Sequence, residues 1–215
     1  MENVKYPSTP HLPWSLSVTN DDKIITSLGG LVSDDVVVLE KLDGENTNLY
    51  RHGLHARSLT YSYHESRSWL RRFHASIAHL IPEDQKLCGE GMFAKHSIFY
   101  DNLESYFLLF SIWNEAGFCL SWDDTLAMAD QIGVKIVPVL YRGPWNEKML
   151  RDLPKKMDLT KQEGYVIRPA ASFHISEFSS RVAKFVRKGH VQTDEHWTRT
   201  EIVPNLLRDP ESVRV

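Results

Sequence analysis

Cysteine is scarce in this sequence, which has only Cys88 and Cys119 among 215 residues. Two cysteines cannot build the multiple disulfides that hold many small secreted domains together, and the N-terminus has no signal-like or transit-like segment. The sequence therefore favours a reducing compartment, and we expect a cytoplasmic protein.

Long hydrophobic runs are also missing. The nearest candidate, residues 106–113, is far shorter than the roughly 18 apolar residues that cross a bilayer as a helix. Its length suits a buried strand instead. We therefore expect no membrane contact.

Positive charge is not in excess. The 25 Lys and Arg residues face 28 Asp and Glu residues, which gives a net charge of -3 at pH 7. Since nucleic-acid binding over a broad surface usually needs a basic surplus, any such surface here must be local. The sequence also lacks a Gly-x4-Gly-Lys-Ser/Thr loop and, despite ten histidines, the zinc spacings Cys-x-x-Cys and His-x3-His. The missing loop argues against a Walker-type ATPase, and the missing spacings argue against a zinc site.

Strand patterns dominate what is present. A β-branched run at residues 36–39 leads into Lys-Leu-Asp-Gly, and residues 47–51 and 54–58 flank His52-Gly53. This predicts a strand and then a hairpin, with a positive φ at Gly53. Further strands are expected at residues 86–93, 106–113, 118–120, 134–141, 165–168 and 182–187.

Two segments are predicted to be helices. Residues 65–80 precede Pro82, and their apolar residues recur at helical spacing: Trp69, Leu70, Phe73, Ile77 and Leu80. In the second segment, Ser121 is a candidate N-cap with Asp124 at N3, and Gly133 is a candidate C-terminal stop.

The N-terminal stretch contains Pro7, Pro10 and Pro13. Proline lacks a donor and restricts the residue before it, so this stretch should lie extended over the domain. No internal repeat or linker divides the chain. We therefore predict one α+β domain with antiparallel sheets and at least two helices.

Six short segments carry the chemistry-bearing residues. They are Glu-Lys-Leu-Asp-Gly-Glu-Asn at residues 40–46, Ala-Arg-Ser at 56–58, Gly-Glu-Gly at 89–91, Leu-Phe-Ser-Ile at 109–112, Glu-Gly-Tyr-Val-Ile-Arg at 163–168 and Val-Ala-Lys-Phe-Val-Arg-Lys at 182–188. Their order and spacing resemble motifs I, Ia, III, IV and V of the covalent nucleotidyltransferases, which include DNA ligases, RNA ligases and mRNA capping enzymes. The resemblance is strongest to the RNA-ligase branch typified by the smaller phage RNA ligase, and it spans about residues 36–190.

The resemblance implies an ATP-grasp-like nucleotidyltransferase fold, with two antiparallel sheets, flanking helices and ATP bound between the sheets. After Lys188 only residues 189–215 remain, too few for the five-stranded OB domain that DNA ligases and capping enzymes carry at this point. We therefore expect residues 1–215 to form a single adenylyltransferase domain without an OB domain.

Lys41 is the expected nucleophile. An amine attacks phosphorus only when unprotonated, and free lysine has a pKa of about 10.4, so its site must disfavour the ammonium form. Strand alternation puts Lys184 on one face with Val182 and Val186, and we expect its charge to lie beside Lys41 and to lower the pKa of that amine.

The resemblance also implies the ligand contacts. Glu163 is expected to hold Mg²⁺ or Mn²⁺, and Glu90 to contact the ribose or the metal. Arg57 and Lys184 should neutralise the phosphates of ATP, and Phe110 should stack on adenine. The other expected nucleotide contacts flank the nucleophile: Glu40 at the base, Asn46 at a phosphate or the RNA end, and Leu42.

The chain departs from the family pattern at two positions. Ser111 follows the stacking Phe where the family often has Asp, and Val186 stands where the last motif commonly has a second lysine. Either Lys188, on the same strand face, or Arg187 could supply that second phosphate-binding cation.

The resemblance implies an ATP-dependent RNA ligase that joins a 5'-phosphate to a 3'-hydroxyl. From the residues themselves, we expect the local basic surface at Lys184, Lys188 and the arginines of the first predicted helix, Arg67, Arg71 and Arg72. Alternatives are a capping-type guanylyltransferase or a DNA-nick ligase. A catalytically silent module that binds RNA ends is a third. The sequence identifies no protein partner.

Overall fold

The computed structural model describes residues 1–59, 64–189 and 201–209. In these ranges the chain has the expected α+β architecture, with two antiparallel sheets. The strands are β1 (Val36–Lys41), β2 (Glu45–Tyr50), β3 (Gly53–Ala56), β4 (Gln85–Gly91), β5 (Phe107–Asn114), β6 (Phe118–Cys119), β7 (Val139–Gly143), β8 (Gly164–Pro169), β9 (Phe173–His174) and β10 (Ala183–Val186). The helices are α1 (Ser68–Ile77), α2 (Trp122–Ile132), α3 (Glu147–Asp152) and α4 (Phe178–Arg181), and 3-10 turns span Gly29–Leu31, Glu65–Arg67, Ala78–Leu80, Leu153–Lys155 and Ile175–Glu177.

The chain passes from one sheet to the other beside Lys41. Sheet one has the strand order β10-β8-β1-β7, and sheet two has the order β3-β2-β4-β5-β6-β9. Only residues 42–44 separate the end of β1 from the start of β2. The predicted nucleophile therefore stands where the two sheets diverge.

Side-chain alternation along β1 builds a core on both faces of sheet one. Val36 and Val38 pack with Leu150 of α3 on one face, whereas Val37 and Leu39 pack with Leu108 of β5 on the other. Full burial of such a side chain stabilises the fold by about 1.5–3 kcal/mol. The β-branched run thus fixes β1 between two apolar layers and orients its last residue, Lys41.

Helix α1 covers the outer face of sheet two. Its residues Trp69, Leu70, Phe73 and Ile77 are buried with Leu87, Phe107 and Leu109 of β4 and β5. Leu80, expected on the same apolar face, is instead 44% exposed, because the chain tightens into a 3-10 turn after Ile77 and the helical spacing is lost. No helix in the described ranges is long and apolar enough to cross a membrane.

The local signals for α2 are confirmed. Ser121 Oγ accepts a hydrogen bond from Asp124 N at 3.1 Å, and Gly133 ends the helix in the left-handed region with φ 78°. Two other expectations were wrong. The hairpin turn consists of Arg51 and His52, and Gly53 begins β3 without a positive φ. The strand expected from residue 134 begins only at Val139, because residues 135–137 hydrogen-bond to the backbone of Leu109 in the other sheet.

The N-terminal stretch lies extended along β10, as its prolines predict. Lys184 N donates to Pro10 O at 2.9 Å, and Leu12 N donates to Lys184 O at 2.7 Å. These bonds place the stretch against the open edge of sheet one. They also bring its residues beside the cleft between the sheets.

Candidate active site

A cavity of about 200 Å³ lies between the two sheets around the end of β1. Most of the predicted site residues line it, and they come from seven separate strands or loops: Glu40, Lys41, Leu42, Asn46, Arg57, Glu90, Phe110 and Lys184. Glu163 lies at its edge, bonded to Lys41. Lys188 is exposed and is not among the lining residues.

Lys41 and Glu163 form an ion pair at the mouth of this cavity. Lys41 Nζ donates to Glu163 Oε2 at 2.6 Å. The pairing follows from the register of β1 and β8, in which Lys41 lies opposite Gly164. Gly164 must be glycine because a Cβ there would overlap the carbonyl oxygen of Phe185 in β10. The Glu163 side chain is only 2% exposed, so solvent screens its charge on Lys41 only weakly.

The pKa of Lys41 is raised above its ordinary value. Burial by itself lowers this pKa, but the negative charges of Glu163, Glu90 and Asp43 outweigh burial. The pKa of Lys184 is lowered by burial and then by the charge of Lys41, and both residues line the cavity. We expected the charge of Lys184 to lower the pKa of Lys41. With only the protein's own groups present, this expectation was wrong, because the three carboxylates around Lys41 outweigh the effects of burial and of Lys184.

Glu90 and Glu163 are the two carboxylates that could hold a divalent cation. Glu90 Oε1 accepts from Gly44 N at 3.2 Å. Burial raises the pKa of Glu90 to about 8, an effect that Lys41 opposes and Glu163 increases. Mg²⁺ characteristically takes one or two carboxylates and completes its shell with phosphate oxygens and water. In the described part of the chain no cluster of three or more His, Cys, Asp or Glu residues could hold a metal, so the nucleotide and water would supply the other ligands.

Asp43 anchors the loop that follows β4, a role that the sequence analysis did not assign. Asp43 Oδ2 accepts from Ser97 N and Ile98 N, both at 2.8 Å. Asp43 N donates to Tyr100 Oη at 3.0 Å. These bonds hold the segment between Lys41 and β2 in place. The Lys-Leu-Asp-Gly pattern contained this residue, but only the fold supplies its partners.

Asn205, in the segment 201–209, hydrogen-bonds to the same loop. Its side chain is fully buried, and Nδ2 donates to Met92 O at 2.8 Å while Oδ1 accepts from Tyr100 N at 2.9 Å. Asn205 thus links the C-terminal segment to Tyr100 and, through it, to Asp43. Nothing in the local sequence marked this asparagine.

Asn205→Ala is expected to lower the free energy of unfolding by about 2–4 kcal/mol, because it leaves buried backbone groups of Met92 and Tyr100 without partners. Chemical denaturation measures this change. Leu206→Ala is the matched control, since Leu206 is 50% exposed, and its effect should stay within about 0.5 kcal/mol. Equal effects of the two substitutions would contradict the anchoring role.

Lys184 is held by residues of the N-terminal region. Its Nζ lies 3.9 Å from Asp22 Oδ1, and Asp22 Oδ2 accepts from Thr19 N at 3.0 Å. His11, which is buried, lies on the other side with Nε2 3.3 Å from the same Asp22 oxygen. Lys184 itself lines the cavity.

The N-terminal stretch also forms part of the cavity wall. Tyr6 lines the cavity together with Phe110, and the two rings meet edge to face with centroids 5.4 Å apart. Arg57 donates to the hydroxyl of Ser8. The proline pattern predicted an extended segment here, but it could not predict contact with the site. Phe110 itself is only partly buried and keeps surface toward the cavity.

The expected basic surface on α1 is largely engaged in internal contacts. Arg67 Nε donates to Glu45 Oε2 at 2.7 Å, and Arg71 Nη2 donates to Ser68 Oγ at 3.3 Å. Arg72 is exposed. For the second phosphate-binding cation, Arg187 is partly buried and Lys188 is exposed, and neither lines the cavity.

Residues 34–186 match the family model for RNA ligases. Similar solved structures include an archaeal ATP-dependent RNA ligase (TM-score 0.59, 17% identity, covering 85% of this chain and 48% of that one). Another is a putative ATP-dependent DNA ligase from Aquifex aeolicus (TM-score 0.55, 19% identity, covering 85% of this chain and 49% of that one). A third is a Naegleria gruberi RNA ligase mutant with ATP and Mn (TM-score 0.52, 18% identity, covering 88% of this chain and 62% of that one).

These structural similarities concern the fold, and the chain spans about half the length of the archaeal and Aquifex proteins. No curated protein matches the chain.

Proposed function

The chain belongs to the RNA ligase family, and from this premise we propose that it is an ATP-dependent RNA ligase that works through a lysyl-AMP intermediate on Lys41. The observation that carries the proposal is the position of this amine. Lys41 lines a cavity between the sheets that Lys184 also lines, and its Nζ donates to Glu163 Oε2 at 2.6 Å. No other lysine lining the cavity has a carboxylate partner at hydrogen-bond distance among the described residues.

In the first step, Lys41 Nζ loses a proton to solvent, and its lone pair attacks the α-phosphorus of ATP. A P–N bond forms, the bond to the bridging oxygen breaks, and pyrophosphate leaves. The transition state spreads negative charge over the phosphoryl oxygens, and Lys184 and Arg57 are the cavity residues that would stabilise it. Phe110 and Val166 line the cavity from opposite sheets, where they can cover the two faces of adenine.

Glu163 and Glu90 would hold Mg²⁺ or Mn²⁺. A divalent cation bound there supplies positive charge for the phosphate oxygens. The two carboxylates fit this role because they are close enough to influence one another and both are acceptors when ionised. The Naegleria structure with ATP and Mn belongs to a protein of similar fold.

In the second step, a 5'-phosphate of RNA attacks the phosphorus of lysyl-AMP and releases Lys41. In the third, a 3'-hydroxyl attacks the activated 5'-phosphate, forms the phosphodiester and expels AMP. Asn46 lies beside Glu90 in the β2–β4 pairing and lines the cavity, so it is placed to contact a phosphate. Family membership is the reason to expect RNA as the substrate.

Incubation with α-labelled ATP and Mg²⁺ or Mn²⁺ tests the proposal. Covalent label should remain on the protein, and its bond should be acid-labile and hydroxide-resistant, as a phosphoramidate is. Labelling by GTP instead would indicate a capping-type enzyme, and no label with either nucleotide would indicate a silent binding module. Sealing of nicks with RNA ends, compared with all-DNA nicks, separates an RNA ligase from a DNA ligase.

Phe110→Leu is expected to raise the KM for ATP in self-adenylylation by about 5- to 20-fold. Leucine keeps apolar contact but loses the ring face on which a base stacks, a contact worth roughly 1–3 kcal/mol. Initial rates of labelling at varied ATP measure it. Phe107→Leu is the control, because Phe107 lies in the same strand but packs into the core against Phe73. An unchanged KM for Phe110→Leu would assign this ring to core packing alone.

A further inference from the structure

The cavity extends away from Lys41 to an end formed by Arg168. In β8, Arg168 lies four residues beyond Gly164, the partner of Lys41, and at about 3.3 Å per residue this is roughly 13 Å along the strand. Val166, between them on the same face, also lines the cavity. Arg168 is therefore at the opposite end of the cavity from the nucleophile.

The Arg168 guanidinium is buried and held rigidly. Its side chain belongs to a residue only 3% exposed. Nε donates to Pro169 O at 3.0 Å and Nη2 donates to Leu120 O at 2.7 Å. The guanidinium carbon lies 5.4 Å from the ring centroid of Phe173 and 5.9 Å from that of Trp122. These contacts leave the group little freedom to turn toward another partner.

One nitrogen of the Arg168 guanidinium makes no hydrogen bond to the described residues. Arg168 Nη1 is buried but has no hydrogen-bond partner within the described part of the chain. The nearest protein group is the Cys119 thiol, whose pKa is raised by burial and pulled back down by its contact with Arg168, but sulfur is a weak acceptor. A buried donor on a charged group is costly to leave unpaired, so such an atom in a cavity indicates a place for a ligand acceptor.

The other lining residues at this end offer no carboxylate, so a ligand is the remaining source of a strong acceptor for Arg168. The lining carboxylates, Glu40 and Glu90, belong to the end with Lys41. Ser111 Oγ, at the Arg168 end, already accepts from Trp113 Nε1 at 3.0 Å. The free donor of Arg168 therefore faces neutral and apolar surroundings.

We propose that Arg168 Nη1 donates a hydrogen bond to N1 of the adenine ring and so selects ATP over GTP. This inference rests on the proposed function, which puts the triphosphate of ATP at Lys41. Adenine is joined to ribose through N9, so its edge with N1 is the one furthest from the phosphates and points to the Arg168 end. N1 of adenine is an acceptor, whereas N1 of guanine carries a hydrogen and would meet a second donor. Because Nε and Nη2 of Arg168 are occupied, the group cannot turn to grip guanine with two donors.

Analogues of ATP test this contact in the unaltered protein. With labelling of Lys41 as the readout, 1-deaza-ATP lacks only the N1 acceptor and should have a kcat/KM about 10- to 100-fold below that of ATP. The matched analogue 7-deaza-ATP keeps N1 and should stay within about threefold of ATP. GTP should be at least about 10-fold poorer than ATP. Equal labelling by ATP and 1-deaza-ATP would overturn the proposal.

Substitution of Arg168 assigns the contact to this residue. Arg168→Met keeps much of the side-chain volume and removes the donor. The kcat/KM of this variant for ATP, divided by its kcat/KM for 1-deaza-ATP, should therefore fall to about one. Thr125→Val, which removes a buried hydroxyl from α2 outside the cavity, should keep the wild-type ratio and controls for general loss of stability. If Arg168→Met does not unfold cooperatively, Arg168→Lys serves in its place and should give a reduced ratio.

The outcomes separate this inference from the function on which it rests. If a folded Arg168 variant keeps the wild-type ratio of kcat/KM for ATP to kcat/KM for 1-deaza-ATP, the role of Arg168 is overturned. The proposed labelling of Lys41 is then unaffected. A labelled protein that uses GTP as well as ATP overturns the selectivity. Absence of label with every nucleotide overturns the proposed function and the base contact together.

Discussion

Lys41→Arg is expected to abolish covalent labelling by AMP, a loss on the order of 10⁴-fold or more, as for removal of nucleophiles in other enzymes. Arginine keeps a cation opposite Glu163, but it cannot be deprotonated to attack phosphorus. The measurement is self-adenylylation with α-labelled ATP, supported by the intact mass of the protein. Lys161→Arg, at an exposed position near Glu163, is the matched control and should label like the wild type.

The choice of arginine separates chemistry from folding. Lys41→Ala would leave the buried Glu163 carboxylate without its partner, so a loss of stability could accompany the loss of labelling. Lys41→Arg retains the ion pair and should unfold within about 1 kcal/mol of the wild type. Substantial label on a folded Lys41→Arg protein would mean that another residue is the nucleophile.

Glu163→Gln is expected to lower the rate of self-adenylylation by about 10²- to 10³-fold, because it preserves the shape of the side chain but removes the charge that binds a hard cation. The rate should be measured from about pH 6 to 9 at saturating ATP and metal. Glu177→Gln is the control, since Glu177 forms an exposed ion pair with Arg181, and its profile should match the wild type.

The pH profile distinguishes two roles of Glu163. Its negative charge is the largest of those that raise the pKa of Lys41. If Glu163 only paired with the amine, Glu163→Gln would lower that pKa, and more of the reactive neutral amine would be present at low pH. The rate would then rise on the acidic side. A loss at every pH supports a metal ligand, whereas an acidic-side gain would contradict that role.

Features that depend on neighbouring residues could be predicted from the sequence. The apolar β-branched run ending at Lys41 forms β1 as expected, because alternation along a strand is a local property. Ser121 and Gly133 bound α2 as expected, because a cap bonds within one turn of its own helix. The order of the short motifs likewise identified the family. These inferences need only residues a few positions apart or a family pattern of residue types.

The tertiary structure decided the features that need a distant partner. The register of β1 and β8 brought Glu163 onto Lys41 across 122 residues of sequence. The number of carboxylates around Lys41 then reversed the predicted direction of its pKa. Position within a strand tells which way a side chain points but not what faces it.

The same reason explains the residues that the sequence did not mark. Tyr6 contributes to the cavity wall, and Asn205 braces the loop that holds Asp43. Arg168 has the ordinary appearance of a motif-terminal arginine, and its unpaired Nη1 is visible only once the chain is packed around it. Sequence by itself determined β1, the bounds of α2, the motif order and the family. Folding decided which polar groups are satisfied and which are left to bind a ligand, because hydrogen bonding and burial depend on contacts between segments far apart in the chain.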